Sequence, residues 1–285
     1  MLDLATATLN GEISPGAEQE TLQIASLTGP STPSPSLSHS YTSLAAYEEC
    51  PRSHYLDYVV NAFPDYQETA ATSDAEGGVS QRDIGLLFHD TAEQAAKQDV
   101  ERREEWYRIC ERLASQRRAE DALPAAKQCI DRYFELDLPR YEIIDAEREF
   151  ELDIDGHELI GYIDAVYRTP DDELLVIDYK ATERHRDLQD DKQLPIYLLA
   201  CLDLYDEPVA HAGYAYVGDI GPKIETRRFN DDDLEAVQDD VTMSMNQIRE
   251  FSFDQYTDGE HCRWCQHNQL DCAPDSFTVG PGFEK

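Results

Sequence analysis

The spacing of apolar residues predicts a helical first half of the chain. Between about residues 41 and 137, apolar side chains recur every three or four positions, as in the segment DIGLLFHDTAEQAAK (83–97). This period places them on one face of a helix. Ser40 is a typical capping residue, and Pro51 and Pro124 mark breaks between successive helices.

The pattern changes at residue 141, and the alternation that follows predicts strands. The segments EREFELDI (147–154) and HELIGYIDAVYR (157–168) alternate on either side of Asp155-Gly156, a pair typical of tight hairpin turns. A third strand, ELLVIDYK, covers 173–180. The remaining predicted elements are a helix within 188–205 that begins near Lys192, strands over 210–219 and 223–229, and a helix over 231–251 capped by Asn230. Together they predict an α/β fold in which helices flank a central mixed β-sheet.

Residues 1–38 differ in composition from the rest. They are rich in Ser, Thr, Pro and Gly and lack periodic apolar spacing, so we expect them to be disordered. Residues 39–285 would form a single domain that ends in a cysteine-rich segment. No apolar run reaches the roughly 18 residues of a membrane helix, and the N-terminus lacks a signal-peptide pattern. We therefore expect a soluble cytoplasmic protein.

The chain is strongly acidic, with 59 Asp and Glu against 24 Lys and Arg and a formal net charge of −35. Such a charge repels nucleic acid in dilute buffer. However, the acidic residues are spread over the whole chain, which favours adaptation to a very salty cytoplasm. At 1 M salt the Debye length is about 3 Å, so long-range repulsion is screened and local contacts decide binding. The net charge therefore does not exclude a DNA substrate.

Two acidic residues and a lysine stand on neighbouring predicted strands. Asp178 and Lys180 follow the apolar run LLVI and, being two positions apart, point to the same face of the sheet. Asp164 lies among apolar neighbours in GYIDAVY, where an ionised carboxylate is costly unless it is paired or bound to a cation. Carboxylate oxygens from both strands would suit Mg²⁺ or Mn²⁺, and Lys180 could orient a water or stabilise a charged transition state. The structural alternative is a surface salt bridge between Asp178 and Lys180.

These residues belong to four motifs that resemble the RecB-like branch of the PD-(D/E)XK nuclease superfamily. That branch has a Gly-x3-His on a helix, a Gly-x2-Asp strand, an Asp/Glu-x-Lys strand and a Gln-x3-Tyr on the next helix. This chain has all four in that order: Gly85 to His89, Gly161 to Asp164, Asp178 to Lys180, and Gln193 to Tyr197. The resemblance covers about 40–280 and implies a restriction-endonuclease-like core. The superfamily's proline is replaced by Ile163, as is common in this branch.

The resemblance also implies a role for each motif residue. The metal ligands would be His89, Asp164, Asp178 and the backbone carbonyl of Tyr179. Lys180 would be the catalytic lysine, acting with the two aspartates, while Gln193 and Tyr197 would contact the active site or the DNA backbone. The structural alternatives are a histidine satisfied within its own helix at 89, and ordinary i, i+4 helix neighbours at 193 and 197.

Three of the seven cysteines cluster near the C-terminus as Cys262-x2-Cys265-x6-Cys272. In a reducing cytoplasm, clustered thiols indicate a metal rather than disulfides, and Cys50 is the candidate fourth ligand. One Cys-Pro before the nuclease core and three cysteines after it is also the layout of RecB-like nucleases of the AddB type and of CRISPR-associated exonucleases. That resemblance implies a [4Fe–4S] cluster.

A four-ligand zinc site is the alternative for this cysteine set, and His261 or His267 could then replace a thiol. The other three cysteines fall in helical patterns, where small core residues are expected: Cys110, Cys129 and Cys201.

The expected function is that of a metal-dependent DNA nuclease, as a single-strand exonuclease in DNA repair and recombination or in CRISPR adaptation. Its partners would be DNA with free ends and a helicase or CRISPR adaptation proteins, since the chain has no Gly-x4-Gly-Lys-Ser/Thr motif of its own. Two other functions are compatible with the sequence. One is a catalytically silent DNA-end-binding or scaffold subunit on the same fold, and the other is an acidic metal-binding interaction protein without affinity for DNA.

Overall fold

The computed structural model describes residues 38–61, 79–182, 186–207, 209, 211–218, 221–251, 255–263, 265 and 267. The tail predicted to be disordered lies outside the described residues, except for Ser38, which belongs to a short strand. Cys272 and most of the polar loop predicted before the helix at 83–97 also lie outside them.

The first helical segment breaks at Cys50, next to the predicted proline. Helix α1 (Tyr41–Glu49) is capped by Ser40, whose Oγ accepts the Ser43 N–H at 3.2 Å while the Ser43 Oγ accepts the Ser40 N–H at 3.0 Å. Cys50 then adopts an extended backbone, and a second helix, α2 (Pro51–His54), begins at the proline and runs into one π-helical turn (Tyr55–Val59). Pro51 fits the first position of α2, since a helix leaves that N–H unpaired.

Three further helices form one layer of the domain: α3 (Gln81–Lys97), α4 (Arg103–Arg117) and α5 (Leu123–Tyr133). Two short 3₁₀ turns serve as connections: Glu120–Ala122 joins α4 to α5, and Leu138–Arg140 lies between α5 and the sheet. Apolar side chains from all three helices, among them Phe88, Ile109 and Ile130, pack together and against Leu175 and Ile177 on one face of the sheet. The predicted break near Pro124 is confirmed, because α4 ends at Arg117 and Pro124 lies in the first turn of α5.

The described residues contain six strands, which make one mixed sheet: β1 (Ser38–His39), β2 (Glu142–Ile154), β3 (His157–Arg168), β4 (Leu174–Lys180), β5 (His211–Tyr216) and β6 (Lys223–Arg228). Their order is β1-β3-β4-β5-β6, and β2 also pairs with β3. The β1–β3 and β4–β5 pairs are parallel and the others are antiparallel. The predicted hairpin turn is confirmed, because Asp155 and Gly156 both have positive φ, 58° and 79°.

The second layer contains α6 (Gln193–Leu204) and α7 (Asp231–Arg249), which pack with α1 on the sheet. Both helices begin where the sequence predicts, at Lys192 and at an Asn230 capping box. Along β4, side chains alternate between the layers, with Leu175 and Ile177 toward α3–α5 and Leu174 and Val176 toward α6 and α7.

This alternation places Asp178 and Lys180 on the α6 side at the end of β4. A last 3₁₀ turn covers Glu260–Arg263. Among the described helices, none combines the length and the apolar character needed to span a bilayer.

Candidate active site

Three polar side chains from different elements meet at one edge of the sheet: His89 of α3, Glu147 of β2 and Asp164 of β3. The His89 Nδ1 atom lies 3.4 Å from Asp164 Oδ2 and 3.6 Å from Glu147 Oε1. The ligand atoms of the three residues all lie within 4.8 Å of one another. No other group of three or more His, Cys, Asp or Glu side chains in the described part of the chain is as close.

Helix α3 carries His89 to this edge because its preceding turn is anchored in the core. Leu87 and Phe88 are fully buried, which leaves the following side chain, His89, on the rim with 27% of its surface exposed. One turn earlier, Gly85 brings the helix next to the end of β4, where a Cβ on the glycine would lie 3.9 Å from Ala181 Cβ. The predicted Gly-x3-His spacing therefore brings the histidine to the end of the Asp-x-Lys strand.

The backbone of Tyr179 connects this group to β4. Its N–H donates to Asp164 Oδ2 at 2.8 Å, and its carbonyl oxygen lies 3.1 Å from His89 Nε2. The two ring nitrogens of His89 therefore face different groups, Nε2 the Tyr179 carbonyl and Nδ1 the carboxylates of Asp164 and Glu147. Because an imidazole binds an ion through one nitrogen, Nδ1 is the nitrogen that would hold a cation together with these carboxylates.

Asp178 and Lys180 form a buried ion pair beside this group. Lys180 Nζ lies 2.5 Å from Asp178 Oδ2, and the two side chains are 16% and 3% exposed. The alternative of a surface salt bridge is therefore wrong. The Asp178 Oδ2 atom faces the Lys180 ammonium, and Asp178 is not among the side chains whose ligand atoms lie within 4.8 Å of one another.

Gln193 and Tyr197 of α6 orient Lys180. The lysine ammonium donates to Gln193 Oε1 at 3.4 Å, and Gln193 Nε2 donates to the Tyr197 hydroxyl at 2.7 Å. Tyr197 is itself buried and packs edge-on against Phe150, with ring centres 6.0 Å apart. Gln193 and Tyr197 are therefore not merely i, i+4 neighbours on a helix, because they extend the polar network that begins at Lys180.

The turn after β5 fixes the backbone of Lys180. Its carbonyl accepts the N–H groups of Val217 at 3.0 Å and Gly218 at 3.1 Å. A Cβ on Gly218 would lie 2.2 Å from Thr182 N and 2.3 Å from Ala181 C. The backbone at residue 218 can therefore approach Ala181 and Thr182 this closely only because the residue is glycine.

The charges of the site perturb one another. Burial raises the pKa of Asp164 to about 7, and the neighbouring charge of Asp178 adds to the effect. Burial is the largest single influence on His89 and opposes its charged form, but Asp164, Glu147 and Asp178 together outweigh it, and the pKa of His89 rises to about 9. Several carboxylates held this close are costly without a positive charge among them. Carboxylate and carbonyl oxygens with one imidazole form a donor set that fits Mg²⁺ or Mn²⁺.

Glu147 is the member of this site that the motif analysis misses. It lies in the middle of β2 with φ 48°, a left-handed backbone that a non-glycine residue adopts at a cost. The signal was present in the hairpin register, because the turn at Asp155-Gly156 places position 147 across from Asp164. The alternating pattern alone gave no reason to single out one acid on an acidic strand.

The cysteine-rich tail contacts the segment that follows Cys50. His267, fully buried, lies with Nε2 2.8 Å from Asp57 Oδ1 in the π-helical turn, and the Arg52 guanidinium lies 4.5 Å from the centre of the Tyr256 ring. Cys50 and Cys262 are buried and Cys265 is half-buried. The three remaining described cysteines are core residues, as predicted: Cys110, Cys129 and Cys201. None of the six described cysteines is in a disulfide.

The sequence model of the PD-(D/E)XK nuclease superfamily matches residues 38–270. Since this match spans most of the chain, the protein belongs to that superfamily, and its helix-flanked mixed sheet is the restriction-endonuclease-like fold. Among solved structures, a candidate exonuclease from Eubacterium rectale is similar, with 12% identity, coverage of 90% of this chain and 94% of its own, and a TM-score of 0.45. A structure named SSO0001 has 17% identity, coverage of 68% and 96%, and a TM-score of 0.32. A comparison with curated proteins finds no match.

Proposed function

We propose that this superfamily member is a metal-dependent deoxyribonuclease that acts as an exonuclease on single-stranded DNA ends. The observation that supports it most is the buried Asp178–Lys180 pair next to the group formed by His89, Glu147 and Asp164. A purely structural ion pair would not need a second cluster of carboxylates beside it, because each additional buried charge costs free energy.

The side chains would divide the work as follows. His89, Asp164, Asp178 and the Tyr179 carbonyl would hold Mg²⁺ or Mn²⁺, and Glu147 would complete the set. Such an ion supplies charge neutralisation at a phosphodiester and lowers the pKa of a bound water. Lys180 would orient the attacking water and hold positive charge near the phosphate, while Gln193 and Tyr197 keep the ammonium in place.

We also infer a [4Fe–4S] cluster held by Cys50, Cys262, Cys265 and Cys272. The support for it is the cysteine layout, with one Cys-Pro before the nuclease core and three cysteines after it, together with the contact between His267 of the tail and Asp57 in the segment after Cys50. A four-ligand zinc site is the alternative.

The physiological setting would be DNA repair and recombination or the trimming of DNA in CRISPR adaptation. In either setting its partners would be a helicase or CRISPR adaptation proteins, and this sequence has no Gly-x4-Gly-Lys-Ser/Thr motif. The genes that neighbour its own would distinguish the two.

The test is a cleavage assay with end-labelled single- and double-stranded DNA, Mn²⁺ and molar KCl. Wild-type protein should shorten single strands, and Lys180→Ala should lower the rate by at least about 100-fold with unchanged far-UV dichroism. Lys127→Ala is the matched control, because Lys127 pairs with Glu111 on the outer helical layer. Full activity of Lys180→Ala would refute the catalytic assignment, and an inactive wild type that binds ends would favour the scaffold function.

A further inference from the structure

Arg186 lies beside the candidate active site between two tyrosines. Its guanidinium carbon is 6.0 Å from the centre of the Tyr41 ring and 5.8 Å from that of the Tyr214 ring. Nη1 donates to the Tyr41 hydroxyl at 3.1 Å, and the Arg186 backbone N–H donates to the Tyr216 hydroxyl at 2.9 Å. These contacts hold the long Arg186 side chain in one direction. It therefore loses less rotamer entropy on binding a ligand than an unconstrained arginine would.

The same Tyr214 ring connects Arg186 to the catalytic lysine. Lys180 Nζ lies 4.8 Å from the centre of the Tyr214 ring, and the Arg186 guanidinium carbon lies 5.8 Å from the same point. The two cations are therefore no farther apart than these two distances added together. Tyr214 is fully buried and pairs with Asp178 across β4 and β5. Charges of one DNA strand are about 3.4 Å apart along a duplex axis, so cations this close reach phosphates within about three nucleotides of each other.

The charge of Arg186 is only weakly compensated. Its side chain is 42% exposed, and its ion pair with Asp191 Oδ2 is 3.8 Å long. That carboxylate is already engaged, since Oδ2 accepts from the Tyr214 hydroxyl at 2.5 Å and Oδ1 accepts the Leu194 N–H at 2.9 Å. By contrast, Lys192 at the start of α6 is bound by two carboxylates, those of Glu48 and Asp240.

We propose that Arg186 is a positioning residue that binds a DNA phosphate close to the scissile one. This inference rests on the proposed nuclease function. A guanidinium presents a planar fork that binds two phosphate oxygens at once, and the tyrosine frame holds that fork next to Lys180. In a chain with a net charge of −35, which repels DNA over long distances, binding depends on short-range contacts of this kind.

A purely structural role would be to hold the segment before α6 against Tyr41 of α1. The two roles differ in what they predict for DNA. A phosphate contact changes DNA affinity and its dependence on salt, whereas a structural contact changes the melting temperature and leaves the salt dependence as it was. Arg186→Lys distinguishes the two roles further, because it keeps the positive charge and loses the bidentate contact with a phosphate.

The experiment measures binding of a fluorescent single-stranded oligonucleotide to the full-length protein in Ca²⁺, over a range of KCl concentrations, with the probe checked on a gel for cleavage. Arg186→Gln should raise the Kd about tenfold and reduce the slope of log Kd against log [KCl] by about 0.7, the value for one phosphate of a single strand. Arg186→Lys should keep the slope and bind with intermediate affinity. Arg140→Gln is the control, because Arg140 is 80% exposed and pairs with Asp137 in the turn before β2.

An unchanged Kd and slope in Arg186→Gln would overturn the inference, whether or not the variant melts at a lower temperature. If the wild type cleaves DNA while Arg186→Gln binds normally, the inference fails and the nuclease function stands. If the wild type neither binds nor cleaves DNA, both fail together.

Discussion

Glu147 lies across the β2–β3 ladder from Asp164, and it does so with a left-handed backbone in the middle of a strand. For a residue with a Cβ this conformation costs about 1–2 kcal/mol. The cost is explained if the bend in β2 turns the glutamate carboxylate toward the cation site, where its Oε1 lies 3.6 Å from His89 Nδ1.

If Glu147 ligates the cation, replacing its charge should weaken metal binding without unfolding the protein. We expect Glu147→Gln to lower the affinity for Mn²⁺ by about tenfold or more, as measured by titration calorimetry. Glu149→Gln removes the same charge from the same strand, where Glu149 is exposed and accepts from the Tyr162 hydroxyl. Equal affinities in the two variants would show that Glu147 only neighbours the site.

Gly218 should control both stability and catalysis, because an added Cβ would collide with the backbone of Ala181 and Thr182 just after Lys180. We expect Gly218→Ala to lower the free energy of unfolding by about 1–3 kcal/mol and to reduce kcat through the displaced lysine. Gly221→Ala is the matched control, since its added Cβ would meet nothing within 4 Å. Wild-type kcat and stability in Gly218→Ala would disprove the positioning role of this turn.

A buried histidine should make the protein sensitive to mild acid. His39 of β1 is 4% exposed, and burial, reinforced by the nearby charge of His157, lowers its pKa from 6.5 to about 4. Since the folded protein binds the proton more weakly than the unfolded chain, unfolding takes up a proton between these pH values. The stabilisation by neutral His39 is complete above pH 6.5 and decreases as the pH falls toward 4, by up to about 3 kcal/mol.

Urea unfolding at a series of pH values in molar KCl checks this expectation. His39→Phe keeps an aromatic ring but does not titrate, so its free energy of unfolding should depend less on pH between 6.5 and 4 than that of the wild type. Parallel curves for the two proteins would show that other groups cause the acid sensitivity.

The cysteine set makes a prediction about composition. Cys262→Ser should lose iron and acid-labile sulfide in elemental analysis of anaerobically purified protein, and its melting temperature should fall because the tail is no longer held to Cys50. Cys201→Ala should also be less stable, since Cys201 is buried in the core, but it should keep its iron. Stoichiometric zinc without sulfide in the wild type would exclude the iron–sulfur cluster.

Local patterns were sufficient to place much of the site. The apolar run before Asp178 and the two-residue period of a strand predicted that Asp178 and Lys180 share a face, and the structure confirms it. The helix caps at Ser40 and Asn230 were also predicted, because a cap depends on only a few neighbouring residues.

Features that depend on pairing between distant segments were not predicted. Strand β1 has two residues and no pattern of its own, and it exists because Glu158 and Leu159 of β3 pair with it. Tyr214 meets Lys180 through the parallel pairing of β4 with β5, which no local period encodes. Glu147 needed both the hairpin register and an unusual backbone conformation, and only the register could be derived from the turn residues.

The most direct test locates the cation itself. Crystals of the protein soaked in Mn²⁺ should show one anomalous diffraction peak about 2.1 Å from oxygens of Asp164 and Asp178 and from the Tyr179 carbonyl, with His89 among its ligands. A Mn²⁺ peak bound elsewhere, or no peak at a Mn²⁺ concentration that supports DNA cleavage, would contradict a metal-dependent active site at this edge of the sheet.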